Sequence, residues 1–144
     1  MNVVIGTDHR GFEYKEFIKS YNDFSKNILW LDVGCHSSDS CDYPIFAREV
    51  VQNIQSGKAQ AGILLCGTGV GMSIAANRFE KIYAGLAWNK EVARLNKEHD
   101  KVNVLVIPAD FVTRDQALEM VSAWVEADFL GGKYQKRIDL IDSF

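Results

Sequence analysis

No stretch of these 144 residues is long and apolar enough to cross a bilayer; the longest apolar runs have the length of strands. There is no basic excess either. A net charge of -3 and a pI near 5.6 argue against a nucleic-acid partner, which advertises a basic surface. The C-terminal GGKYQKR still leaves room for a local basic pocket. The start, MNVVIGTD, has no basic leader ahead of a long apolar region and reads as a mature start. Cysteines are few and odd in number: Cys35, Cys41 and Cys66. Without a secretory signal, free thiols in a reducing cytoplasm are the expectation. A zinc site on Cys35, His36 and Cys41 lacks the usual paired spacing and a second pair to close a tetrahedron. CHSSDSC therefore reads as a loop, and neither a metal nor a cofactor is expected. No repeat, low-complexity tract or linker divides the chain, so residues 1–144 form one expected domain with one sizeable core.

What is present alternates. Apolar runs at 3–6, 28–34, 61–66, 82–88 and 102–108 read as strands. Between them lie amphipathic stretches, the first placing Phe17, Ile18, Tyr21 and Phe24 at helical spacing over 11–24. Pro44 suits the first turn of a helix over about 45–56, and Gly57 suits its stop. Further helices are predicted over about 71–79, from an Asn89 cap, from a Thr113–Gln116 capping box to about 128, and over 133–142. Strict alternation implies a parallel sheet covered by helices on both faces, with ligands bound at the carboxyl rim. The residues following the first three strands, TDHR, GCHSSDSCDYP and CGTGVG, concentrate the polar chemistry there.

The third of these, CGTGVG at 66–71, spaces glycines at every second position between a buried strand and a helix. A tight turn without a ligand is one reading. A dinucleotide fingerprint fails, because it needs glycine where Met72 stands. A P-loop fails too, since Gly71 is followed by Met72 and Ser73 in place of Lys-Ser/Thr. What survives is a nest of amides at a helix start, suited to an anion. Cys66 is either a small buried hydrophobe or a thiol whose pKa those amides draw from ~8.5 towards neutrality. A thiolate beside an oxyanion hole suits nucleophilic attack on a carbonyl or proton abstraction beside one.

GTDHRGF (6–12), DYP (42–44), GILLCGTGVGMSIAANRF (62–79), KEHDKVNVL (97–105) and FLGGKYQKR (129–137) together resemble the family of type B ribose-5-phosphate isomerases and galactose-6-phosphate isomerase subunits. The resemblance covers nearly the whole chain. It implies an α/β fold, a Rossmann-like three-layer α/β/α sandwich around a five-stranded parallel sheet. It also implies a homodimer or dimer of dimers with active sites at the subunit interface, and metal-free aldose–ketose isomerisation of a sugar phosphate through a cis-enediolate. In that scheme Cys66 takes the proton beside the carbonyl, while the Gly67, Thr68, Gly69, Val70 and Gly71 backbone, with the Thr68 hydroxyl, cradles the enediolate. His99 matches the acid–base that opens the ring, Asp8, His9 and Tyr43 match substrate contacts, and Lys133 with Arg137 matches a phosphate clamp. Read from periodicity alone, His99 is equally a solvent-exposed residue at a helix end.

Three positions depart from the ribose-phosphate pattern. Asp100 replaces an asparagine, Lys133 replaces an arginine, and Pro108-Ala109-Asp110 replaces glycine-serine-arginine after the fifth strand. Lysine keeps charge and loses the bidentate fork. Asp110 either points to solvent, with Lys133, Lys136, Arg137, His9 and Arg10 left to bind phosphate, or marks a pocket retuned to another sugar, with Asp100 and Asp110 accepting from its hydroxyls. Ribose 5-phosphate leads other aldose phosphates; a non-catalytic binding module and a thiol transferase are the competing classes. Trp30, Trp88 and Trp124 read as core or dimer contacts, and Tyr134 either stacks on substrate or packs.

Overall fold

Successive residues of a strand face opposite sides of a sheet, and here both sides are filled. The computed structural model describes residues 1–144. Its five parallel strands are β1 (Asn2–Thr7), β2 (Leu29–Gly34), β3 (Ala61–Cys66), β4 (Ala84–Leu86) and β5 (Val104–Pro108), in the order β2-β1-β3-β5-β4. Six helices intervene or follow: α1 (Phe12–Ser20), α2 (Tyr43–Gln55), α3 (Val70–Ala76), α4 (Lys90–Asp100), α5 (Arg114–Glu126) and α6 (Lys133–Asp142). None is long and apolar enough to cross a membrane.

One face of the sheet sends Val3, Ile5, Ile63, Leu65, Leu105 and Ile107 against Ile18 of α1, Ala93 of α4 and Met120 and Trp124 of α5. The other sends Val4, Leu64, Cys66, Val104 and Val106 against Val50 and Val51 of α2 and Met72 and Ala76 of α3. The expected three layers are present. All six residues of β3 are buried, which is why its sequence does not alternate. Trp124 is fully buried and donates Nε1–H to the Val102 carbonyl at 3.1 Å, so its one polar atom is satisfied inside the core. Trp30 is half-buried, and Trp88 is 58 % exposed.

Several predicted ends are confirmed by the atoms that make them. The Thr113–Gln116 capping box is formed in both directions, Asn89 caps α4 through Val92 N–H, and Pro44 stands in the first turn of α2. The helix predicted over about 71–79 ends at Ala76, and two expectations fall further short. The helix predicted to reach residue 24 stops at Ser20, whose hydroxyl donates to the Phe17 carbonyl at 2.7 Å, and Tyr21 is already extended. Ser, Asn and Asp in SYNDFS compete for the backbone and end the helix. The strand predicted over 82–88 narrows to Ala84–Leu86. Side chains replace the sheet at its start: Asn103 Oδ1 accepts from Tyr83 N–H and Asn77 Oδ1 accepts from Ala84 N–H.

Candidate active site

The carboxyl ends of β1 and β3 are stitched together one residue before Cys66. The Thr7 hydroxyl and the Asp8 amide both meet the Leu65 carbonyl, at 3.1 and 3.2 Å. Asp8 is buried, and its Oδ1 accepts from the Arg10 and Gly11 amides at 2.9 and 3.2 Å. It therefore caps the single 3₁₀ turn at His9–Gly11 and fixes where His9 stands. The Cys41 amide donates to His9 Nδ1 at 3.4 Å, which ties the ring to the loop after β2. Tyr43 opens α2, and its ring lies over the glycine loop. A Cβ on Gly71 would come within 2.5 Å of Tyr43 Cζ, so only glycine admits the ring there. Gly69 turns the chain into α3 at φ 77°, in the left-handed region.

Cys66 ends β3 beneath this loop. Its sulfur accepts from Gly69 N–H at 3.2 Å, and Thr68 Oγ1 accepts from Val70 N–H at 3.2 Å. Part of the anticipated nest is thus engaged by the protein itself, while the Gly67 and Gly71 amides donate to no acceptor of the chain. The thiol is 5 % exposed and packs within the α2–α3 core. Here the expectation of a pKa drawn towards neutrality is overturned. Burial pushes the thiol above its ordinary 9.0; the Met72, Gly69 and Thr68 amides pull it back only in part, and the Asp8 carboxylate adds to the rise. Sequence spacing reveals the amides but not the depth.

The remaining predicted residues are elsewhere. α4 runs antiparallel to the sheet and ends near the start of β5, so His99, its penultimate residue, lies at the amino rim. Five residues of β5 separate the rims by roughly 15 Å. There the His99 ring stacks on Tyr134, centroids 4.3 Å apart and planes 6° from parallel. Lys133 Nζ and the Arg137 guanidinium lie 5.2 and 5.6 Å from the same Tyr134 ring. Asp100 is exposed and borders a cavity of about 700 Å³ walled also by Tyr83, Asn96 and Asp142. Asp142 accepts from the Tyr83 hydroxyl at 2.7 Å and from Lys81 Nζ at 2.9 Å, which pins α6 and its cations to the domain.

One chain therefore unites Asp8, His9, Tyr43, Cys66 and the 67–71 loop, and separately unites His99, Lys133 and Arg137. Tyr134 is the hub of the second group. Asp110 is not free: it forms an ion pair with Arg10 beside Gly67. Neither account of Asp110 offered by the sequence anticipated that partner, a hundred positions away.

A family model described as Ribose/Galactose Isomerase matches residues 3–141. The chain is 37% identical over 139 residues to ribose-5-phosphate isomerase B of Escherichia coli (strain K12), covering 96% of this chain and 93% of that protein. A ribose 5-phosphate isomerase crystal structure from Thermotoga maritima superposes with a TM-score of 0.94 at 43% identity, covering 99% of this chain and 98% of that one. Ribose-5-phosphate isomerase B from Mycoplasma genitalium, with bound ribulose-5-phosphate, gives 0.92 at 35% identity, covering 99% and 94%.

Proposed function

The chain belongs to the ribose/galactose isomerase family, and on that premise we propose that it interconverts aldose and ketose phosphates through a cis-enediolate, ribose 5-phosphate and ribulose 5-phosphate being the leading pair. The observation that carries this reading is the sulfur of Cys66 at the foot of a loop whose Gly67 and Gly71 amides are unengaged. The substrate bound in the Mycoplasma genitalium relative supports the choice of sugar.

His99 shuttles a proton from the anomeric hydroxyl to the ring oxygen, opening the ring; imidazole is suited to this near neutral pH. The Cys66 thiolate then takes the proton from C2. The C–H electron pair becomes a C1–C2 double bond, and the negative charge moves to O1. Donors aimed at that oxygen are worth ~3 kcal/mol each in comparable oxyanion holes. The thiol next returns its proton to C1, the C2–O2 bond becomes the carbonyl, and the O2 proton passes to O1. Lys133 and Arg137 hold the phosphate. Because burial favours the protonated thiol, only a minority of resting molecules carry the thiolate at neutral pH.

Cys66 and His99 act on one sugar only if a second copy brings its amino rim to the first copy's carboxyl rim. Exposed apolar side chains beside the loop, Val70 at 52 % and Ile74 at 63 %, support such a contact. Activity is thus assigned to a homodimer, or a dimer of dimers, with two shared sites. The test is incubation of the purified chain in deuterated water with five- and six-carbon aldose and ketose phosphates. Isomerisation with deuterium entering at C1 of the ketose, and at C2 of aldose formed from ketose, is the expected result. Thermal stabilisation by a sugar phosphate without exchange would replace the reading with a non-catalytic binding module, which the nearly sealed thiol favours.

A further inference from the structure

Arg10 and Asp110 come from opposite flanks of β3 and meet over the loop that follows it. Arg10 lies in the 3₁₀ turn after β1, where its own amide is held by Asp8 Oδ1. Asp110 follows β5, and its amide donates to the Gly67 carbonyl at 3.0 Å. Their ion pair joins Arg10 Nη1 to Asp110 Oδ2. A Cβ on Gly67 would lie 2.8 Å from Asp110 Oδ2 and 2.9 Å from Arg10 Cδ, so both side chains rest on the backbone directly after Cys66.

Stability does not account for this arrangement, because the side chains are 57 % and 36 % exposed and exposed pairs contribute little. Placement does. A guanidinium presents five N–H donors in a rigid fork. Only Nη1 is engaged here, so the carboxylate holds the fork at one corner, over Gly67, and leaves Nε and Nη2 without an acceptor in the chain. A held fork loses less rotamer entropy when it takes an anion, and a phosphate monoester is the anion whose oxygens suit its bidentate geometry.

We infer that Arg10 is a ligand of the substrate's phosphate, supplied by the same chain as Cys66, and that Asp110 is its positioning residue. The inference rests on the sugar-phosphate reading and deepens it: the site holds its own cation on the sulfur side, independent of Lys133 and Arg137. Asp110 is thereby the group that orients a cation towards the substrate.

The test combines calorimetric binding of ribose 5-phosphate and of inorganic phosphate to the full chain with steady-state kinetics. Arg10→Ala should weaken ribose 5-phosphate binding and raise KM by about tenfold, while kcat falls far less. Arg10→Lys should recover part of the loss, and Asp110→Asn should weaken binding by about threefold with an unchanged Tm. The charge-exchanged double variant Arg10→Asp, Asp110→Arg should bind better than Arg10→Ala. Wild-type affinity in Arg10→Ala, or a fall in kcat with KM unmoved, overturns the inference. A wild-type chain that binds ribose 5-phosphate without turning it over removes the isomerase reading, yet the calorimetric comparison still decides Arg10. A chain that binds neither probe overturns the inference as well.

Discussion

The two rims of the sheet are built differently. At the carboxyl rim, Cys66 and Asp8 are buried and the surrounding turn is fixed by backbone hydrogen bonds to Asp8 and Leu65. At the amino rim, His99, Lys133 and Arg137 stand on helices and are organised by one aromatic ring, Tyr134. The first suits a step in which a proton moves between fixed atoms and charge must be stabilised where it appears. The second suits capture of a charged, hydrated ligand. Neither rim holds both sets of groups, and the proposed reaction between two copies has to bridge that division.

The largest effect should separate the rims most sharply. Cys66→Ala should lower kcat by about a thousandfold or more, with ribose 5-phosphate binding retained, as expected for a proton-transferring group. The wild-type kcat should still be rising past pH 9.0, because burial holds the thiol above that value. A plateau near neutrality would mean that the sulfur does not act as the titrating base. His99→Ala should cost about a hundredfold on cyclising substrates and much less on an aldose phosphate too short to close a ring. Equal losses on both would assign His99 a role other than ring opening.

The smallest effect concerns stability beneath the amino rim. Lys97 lies 4.5 Å over the Trp124 ring, and burial, helped by repulsion from Lys26, pulls its pKa down to about 8. Between about pH 8 and its ordinary 10.5 the unfolded chain binds the extra proton, so stability rises with pH across that window. Lys97→Met should therefore stabilise the fold at pH 7 by about 1 kcal/mol, less than the whole shift implies because the ammonium keeps some contact with water. Chemical denaturation at pH 7 and pH 10.5 should show that gain shrinking. A gain that is constant with pH would remove the titration argument.

Local signals survive folding well where one short stretch decides the outcome. β3 occupies the predicted 61–66 because six apolar residues bounded by glycine and polar neighbours leave little choice. The Thr113 box and the last helix, 133–142, were legible for the same reason. The glycine loop was legible as a site, but its contents were only half so. Spacing announces close approach, yet Tyr43 over Gly71 and Arg10 with Asp110 over Gly67 come from segments that follow other strands. The order β2-β1-β3-β5-β4 brings those strands together, and periodicity does not encode it. The thiol's raised pKa was hidden likewise, since burial is a property of the packed α2–α3 face. The separation of His99 from Cys66 follows from helix direction once α4 is placed after β4.

Mixing two inactive variants tests the shared site most directly. Cys66→Ala and His99→Ala chains, each nearly inactive alone, are combined in equal amounts under conditions that exchange subunits. Half the dimers are then mixed, and each mixed dimer carries one intact pair of rims, so about a quarter of wild-type activity should return. Subunit exchange that is complete by native mass spectrometry, with no activity regained, would contradict the account.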